Sequence, residues 1–200
     1  MIDVHILTMP NEDSTDVVNS MKGQPVNIMP FPGIDGEMFK ARAIAYRSAT
    51  SEFVSCVDPD DLVLPEAYSK ITEYLEANPD CDAVYTNSYG KRDRPMFRFK
   101  ELNMDAVKRS NQVYIHQVYV VRTALMLKVL DIIEKENYLP AHYFSDQLIL
   151  TLIASMTKFH FMHELFGYKY SGITNMRSED RKLAYSQLAV SRQRIFNNGA

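Results

Sequence analysis

Three carboxylates crowd into four residues at Asp58-Pro59-Asp60-Asp61, directly after the apolar run Phe53-Val54-Ser55-Cys56-Val57. Like charges this close repel one another, and burying them costs solvation. Two arrangements relieve the strain. A hard divalent cation takes oxygen ligands; Mg²⁺ typically accepts one or two carboxylates and completes its shell with water and substrate phosphate. The cluster is then a cation cradle that faces a phosphate. The other arrangement is an Asx turn that leads into and caps a helix beginning near Pro65. The position at the end of a strand, together with the third acid, favours the cradle.

The elements around the cluster must put it at an accessible edge. "DVHILT" near the N-terminus reads as a strand, closed by Met9-Pro10-Asn11. "EDSTDVVNSMKG" reads as a short helix ending at Gly23, and "PVNIMPF" as a second strand. Apolar residues at 38, 39, 41, 44, 45 and 49 have helical spacing, and "EFVSCV" is a strand covered on both faces. Pro65 suits the first turn of a helix that carries Tyr68, Ile71, Tyr74 and Leu75 on one face and stops at Asn78-Pro79. "CDAVYTNSY" is the next strand. Residues 1 to about 90 thus alternate strand and helix, which predicts a largely parallel α/β sheet. In such a sheet ligands bind beyond the carboxyl ends of the strands, where the acids lie.

The second half is less regular. "ELNMDAVKRS" reads as a helix and "VYIHQVYVVR" as a strand. "TALMLKVLDIIEKEN" is an amphipathic helix with Thr123 at its N-cap, and "SDQLILTLIASM" is a helix with Ser145 or Asp146 near its start. "KFHFMHELFGYKYS" reads as one strand or two, and a helical tail ends the chain.

Composition narrows the class. The 200 residues are 46% hydrophobic and 24% charged, enough to bury a core and too apolar for disorder. A net charge of −3 gives no global pull toward nucleic acid or membrane. Cys56 and Cys81 sit in apolar, strand-like sequence and read as reduced core residues. The N-terminus has no basic n-region and no apolar run nears the ~20 residues of a membrane span, so the expectation is a cytoplasmic protein.

The run "ARAIAYRSATSEFVSCVDPDDLVLPEAY" resembles the signature of glycosyltransferase family 2 and its GT-A-fold relatives, an "ARN-x-G…A-x-GEYI-x-FLDxDD…P" pattern. The register holds without a gap from Ala41-Arg42 through Ser51-Glu52-Phe53 to Asp58-Pro59-Asp60-Asp61 and Pro65. The resemblance implies a GT-A-like fold, with a Rossmann-like, mainly parallel central sheet flanked by helices and a C-terminal helix. It implies one domain over 1–200: a nucleotide-sugar half at 1–90, then an acceptor half with the C-terminal helix at 91–200. The implied activity is transfer of a hexose or pentose from a nucleoside-diphosphate sugar, UDP first among them, to an acceptor hydroxyl with inversion. Mn²⁺ or Mg²⁺ is the implied cofactor. By position, Asp60 ligates the metal, Asp58 approaches the ribose or the metal, and Asp61 supports the loop. Thr8 and Pro10 line the nucleotide pocket, and Arg42 lies near the nucleotide or its phosphates. The family's late-helix catalytic Asp corresponds to Asp146, with Ser145 where a Glu usually stands. Asp146 can serve as general base, as helix cap, or as both.

The departures matter as well. The family's acidic stretch after the second strand is replaced by "PFPGID", which leaves Phe31 to stack on the base and Asp35 to hydrogen-bond it. The family's late His is not matched; His163 among Phe161, Met162 and Leu165 reads as structural before it reads as a ligand, and His116 and His142 offer no better case. "KRDRPMFRFK", residues 91–100, interleaves Phe97 and Phe99 with basic residues that include Lys91, Arg92, Arg94 and Arg98. Such a run is either a solvated face or a binder of phosphates and bases. A second basic set is Arg177, Arg181, Lys182, Arg192 and Arg194. With the compact frame, these sets make the chain similar to phage-encoded transferases that glycosylate hydroxymethylated pyrimidines in DNA. Acceptors of other kinds (glycan, lipid or small molecule) stay open, as does a non-catalytic nucleotide-sugar or nucleic-acid binding module. A haloacid-dehalogenase-like phosphatase also places D-x-D after a strand, but near the N-terminus; here two strands and two helices come first.

Overall fold

The β-branched runs and the helical-period runs settle into one seven-stranded sheet with helices on both faces, in the order β2-β1-β3-β6-β5-β7-β4. The computed structural model describes residues 1–90, 102, 107, 118–138, 145–169 and 178–198. In chain order the elements are β1 (Ile2–Thr8), α1 (Thr15–Ser20), β2 (Val26–Pro32), α2 (Met38–Arg47), β3 (Phe53–Val57), β4 (Leu62–Val63), α3 (Ala67–Ala77) and β5 (Ala83–Tyr89). There follow β6 (Tyr119–Arg122), α4 (Thr123–Lys135), α5 (Ser145–Met156), β7 (Phe159–Lys169) and α6 (Ser178–Asn198). The expected alternation over the first 90 residues is observed, with the small strand β4 added.

β1 pairs in parallel with β2 and β3, and β5 in parallel with β7. β6 runs antiparallel between β3 and β5, and β4 antiparallel on the outer side of β7. β2, β1, β3, β5 and β7 therefore all point one way, and their carboxyl ends share one edge. The Phe159–Lys169 segment forms one strand, and its pairing with β5 shifts register between Thr86 and Asn87 and again between Asn87 and Ser88.

Two cores result. On one face Val54-side residues give way to Cys56, Tyr85, Tyr119 and Val121, which pack on α2, α4, α5 and α6 through Tyr46, Met126, Leu130, Ile149, Ile153, Leu188 and Ile195. On the other, Val4, Ile6, Val57 and Val84 pack on α1 and α3 through Val17, Met21, Tyr68 and Ile71. α5 is apolar nearly all round and is buried accordingly. Cys56 and Cys81 are buried free thiols.

Three local expectations are corrected. Thr123 is the first residue of α4, not its cap; its hydroxyl donates to the Ser51 carbonyl at 2.7 Å, and Arg122 holds the cap position. Pro65 precedes α3 instead of lying in its first turn, because Glu66 takes a left-handed φ of 62° at the N-cap. Tyr74 is only partly buried, its hydroxyl 3.1 Å from His160 Nδ1.

Candidate active site

The strand edge that carries Asp58 also carries Thr8, at the end of β1. Asp58 follows β3 and opens a tight turn in which the Asp61 N–H donates to the Asp58 carbonyl at 3.2 Å. That turn sorts the three acids. Asp61 is turned inward and 1% exposed, Asp58 is half-buried, and Asp60 is exposed at the tip. The crowding in the sequence is thus relieved first by geometry.

Arg42 lies beneath Asp58. It sits mid-helix on α2, facing the sheet, and is buried. Its Nη2 is 3.6 Å from Asp58 Oδ1 and its Nη1 donates to Cys56 Sγ at 3.3 Å, while its Nε finds no hydrogen-bond partner among the described residues. Burial opposes the charge of this guanidinium, but Cys56, Asp58, Asp146 and Tyr119 around it hold it firmly protonated. Asp146, in the first turn of α5, is therefore within electrostatic reach of the same cation that Asp58 approaches. The structure brings together three residues that lie far apart in sequence: Arg42, Asp58 and Asp146. Gln147 Nε2 donates to Asp146 Oδ2 at 3.3 Å, and Ser145 is 1% exposed.

A buried polar row supports this group, and it was not foreseen. The Tyr46 and Tyr119 hydroxyls lie 2.7 Å apart, beside Cys56. Burial raises both phenols out of the ordinary range, and it pushes the Cys56 thiol up to about 11 although Arg42 pulls it back. All three groups stay neutral at physiological pH and leave Arg42 as the charge. The signal was available: Tyr46 is four residues after Arg42, on the same helix face.

The nucleotide-side candidates are less uniform. Thr8 is half-buried, and its enclosed Oγ1 has no hydrogen-bond partner among the described residues. Pro10 and Asp35 are exposed. Phe31 is partly buried against Leu7, Ala41 and Ala45, with its ring 5.5 Å from that of His5 at 60°. The Gly33 N–H donates to the Thr8 carbonyl at 2.9 Å and ties the loop after β2 to the end of β1.

The remaining candidates divide by place. His163 is exposed where β7 departs from register, and its carbonyl accepts a hydrogen bond from Asn87 Nδ2. Lys91, Arg92, Arg94 and Arg98, with Phe97, Phe99, His116, His142 and Arg177, lie outside the described residues, as does the side chain of Arg181. Lys182 is exposed. Arg192 and Arg194 are committed to the fold, which corrects their reading as a basic rim. Arg192 is 3% exposed with Nε on Thr151 Oγ1 at 3.1 Å. Arg194 lies 4.8 Å over the Tyr138 ring and donates to the Glu136 carbonyl at 2.7 Å.

Among the described residues no group of three or more His, Cys, Asp or Glu is preformed to hold a metal ion. What the edge offers is the half-buried Asp58 and the exposed Asp60, both hard oxygen donors. That fits a cation which takes one or two carboxylates and completes its shell from phosphate and water.

A mixed sheet, not a mainly parallel one, with five strands pointing one way and acids at their shared carboxyl edge, defines an α/β protein of the kind whose ligands bind beyond that edge. The profile of glycosyl transferase family 2 matches residues 13–131, more than half of the chain, and the chain belongs to that family. No curated protein sequence matches it. The fold is similar to that of S. aureus TarS: the 1–349 fragment in complex with UDP superimposes with a TM-score of 0.66 at 16% identity, over 95% of this chain and 64% of that one. The same fragment with UDP-GlcNAc gives 0.61 at 14% identity, over 97% and 70%. A 4-diphosphocytidyl-2C-methyl-D-erythritol synthase from Anaerococcus prevotii gives 0.53 at 12%, over 94% and 96%. The chain spans 42% of the longer TarS structure. No described helix is long and apolar enough to cross a membrane.

Proposed function

We propose that this chain transfers a sugar from a UDP-sugar to an acceptor hydroxyl with the help of Mn²⁺ or Mg²⁺. One observation carries the reading: a buried arginine, Arg42, gathers the strand-end Asp58 and the helix-start Asp146 at one sheet edge. The complexes of TarS with UDP and with UDP-GlcNAc support the choice of donor.

Asp58 and Asp60 would hold the metal. When bound, it neutralises charge on the departing diphosphate. Thr8 and the loop tied to it by Gly33 flank the place for the nucleoside. Asp146 accepts the proton of the acceptor hydroxyl, whose oxygen bonds to the anomeric carbon as the bond to the diphosphate breaks and its electron pair leaves with the phosphate oxygen. Attack from the face opposite the diphosphate inverts the anomeric centre. Arg42 sets a positive charge beside Asp58 and offsets the repulsion of a second carboxylate nearby.

For the acceptor we favour a hydroxymethylated pyrimidine in DNA, on the basic, aromatic composition of residues 91–100. Ser145, buried where the family carries Glu, favours a second reading, a binding module without turnover.

Thermal unfolding with a panel of nucleoside diphosphates and Mn²⁺ tests the donor. A ligand at about 100 times its Kd stabilises by roughly 2.7 kcal/mol. UDP with Mn²⁺ is expected to raise Tm, and Asp60→Ala to abolish the Mn²⁺-dependent part. Absence of a response to every nucleotide sinks the proposal. Slow hydrolysis of a UDP-sugar, lost in Asp146→Asn, separates the enzyme from the binding module.

A further inference from the structure

The turn that carries Asp58, Asp60 and Asp61 is held unequally at its two ends. Its entry is β3, which pairs with β1 on one side and β6 on the other. Its exit is β4, two residues long, which starts at Leu62 directly after Asp61. β4 ends the sheet and has β7 on one side; the other side carries no strand among the described residues. Gly167 brings β7 in close to β5, since a Cβ there would lie 2.2 Å from Thr86 Oγ1, and its carbonyl accepts the Leu64 N–H at 2.8 Å. Successive amides of an extended chain point to opposite sides, so the Val63 N–H faces away from β7. An edge strand this short has few ladder bonds with which to fix the turn before it.

Side chains from the end of α1 take the strandless side. The Val63 N–H donates to Ser20 Oγ at 3.1 Å. Gln24 does more. Its Nε2 donates to the Ser20 carbonyl and to the Leu64 carbonyl, each at 3.2 Å, and its Oε1 accepts the Tyr68 N–H at 2.8 Å. A primary amide offers two N–H groups and an acceptor oxygen, and both ends are used. The bond to Tyr68 has a second effect. The first N–H groups of a helix have no partner within it, and Glu66, at the N-cap of α3, makes no side-chain capping bond. Gln24 therefore caps α3 from outside the helix, holds the residue that follows β4, and ties both to α1. It is itself fixed: Gly23 before it turns at a φ of 81°, the Gln24 N–H donates to the Met21 carbonyl at 3.1 Å, and its carbonyl accepts the Val26 N–H at 2.8 Å.

We infer that Gln24 is a positioning residue for the metal: it pins the exit of the acidic turn, so that Asp58 and Asp60 keep the spacing that one cation needs. The inference rests on the donor reading above, in which those two carboxylates hold the metal. Gln24 touches neither the carboxylates nor the donor; it acts through the backbone of Val63, Leu64 and Tyr68. A site built on a turn is only as precise as the shell that supports it. Without the amide of Gln24 the exit of the turn moves, and ordering it again opposes metal binding. Ser20 assists through Val63 alone.

Titration of Mn²⁺ in the presence of UDP, followed by electron paramagnetic resonance, tests the inference in the parent, Gln24→Met and Ser20→Ala. Met keeps the length of Gln and lacks its amide. Gln24→Met is expected to weaken Mn²⁺ binding about tenfold or more, the scale on which the partners behind metal ligands act, and Ser20→Ala to weaken it by less. Hydrogen exchange in the metal-free proteins is expected to quicken at the amides of residues 61–64 in both. Thr123→Val, which removes the hydroxyl bond to the Ser51 carbonyl at the opposite end of β3, controls for general loss of stability and is expected to bind Mn²⁺ like the parent. Parent-like Mn²⁺ affinity or unchanged exchange in Gln24→Met overturns the inference, as does equal weakening in Thr123→Val; each leaves the donor reading standing. Should Gln24→Met fail to fold, parent-like affinity in Ser20→Ala overturns it. A parent protein that binds no Mn²⁺ with UDP overturns the donor reading and the inference with it.

Discussion

Replacing His5 with Phe should remove most of the loss of stability on mild acidification. His5 is fully buried on β1 between the rings of Phe31 and Tyr46, with both ring centroids 5.5 Å away, and neither imidazole nitrogen has a hydrogen-bond partner among the described residues. Burial lowers its pKa from 6.5 to about 4, although the neighbouring Asp3 carboxylate works the other way. Between those two values the unfolded chain binds a proton that the native protein refuses. Stability therefore rises with pH across this window, and it is lost as pH falls from about 6.5 toward 4. A gap of about 2.5 pK units corresponds to roughly 3 kcal/mol. Phe is close in shape and needs no polar partner, so His5→Phe should match or exceed the parent's stability at pH 7 and be nearly flat from pH 7 to pH 4.5 apart from the contributions of other groups. Urea unfolding at both pH values gives four free energies, and the double difference cancels the groups the two proteins share. His5→Leu repeats the measurement without the aromatic contacts. A double difference near zero in both variants would refute the assignment of a neutral, buried imidazole.

Three further outcomes follow from single contacts. The Asp3 carboxylate, held by the Thr50 and Ser51 amides at 2.7 and 2.9 Å and by Ser51 Oγ at 2.6 Å, has its pKa lowered to about 2 against the cost of its burial. Its contribution, about 2 kcal/mol, is present above the unfolded value near 3.8 and is lost as pH falls through 2, so Asp3→Asn should cost about that much at pH 7 by chemical denaturation. Tyr46→Phe should cost roughly 1–3 kcal/mol by stranding the Tyr119 hydroxyl, whereas the Tyr46→Phe, Tyr119→Phe double variant should recover most of it, a coupling that a double-mutant cycle reads directly. Gly167→Ala should destabilise by about 1–3 kcal/mol through overpacking on Thr86, and Thr86→Ala in the same chain should return part of the loss in thermal unfolding.

Much of this was legible because it was local. The strand-helix alternation to Tyr89 and the strand end at Asp58 are written in runs of apolar residues and in Pro and Gly. The helix start at Ser145 is equally plain, written in polar residues ahead of an apolar run. Arg42 and Asp58 were joined by an ungapped motif, and the fold places them 3.6 Å apart. What escaped was decided by pairing over distance. Nothing in "YVVR" says that β6 inserts antiparallel between β3 and β5, nor does "LV" announce β4. Asp3 and His5 alternate with Ile2, Val4 and Ile6, the pattern of a strand with one wet face, yet α2 covers that face and both are fully buried. Arg192 and Arg194 looked like solvated charge; packing drew one inside and laid the other over a ring.

The insertion of β6 has a consequence for how the chain reaches its native state. Every strand up to β5 is complete by residue 89, but β3 and β5 are not neighbours, and the strand that joins them comes from residues 119–122. A nascent chain that has emerged only to Tyr89 carries β2-β1-β3 with the inner edge of β3 open and β5 with neither of its sheet partners, because β6 and β7 both come later, and each offers unpaired amides and carbonyls. The facing edges of β3 and β5 close only when β6 arrives from further along the chain, a closure that slows folding and ties both half-sheets into one cooperative step. A fragment running from β6 through α6, supplied to the complementary fragment that ends within residues 91–117, is expected to restore the sheet by complementation.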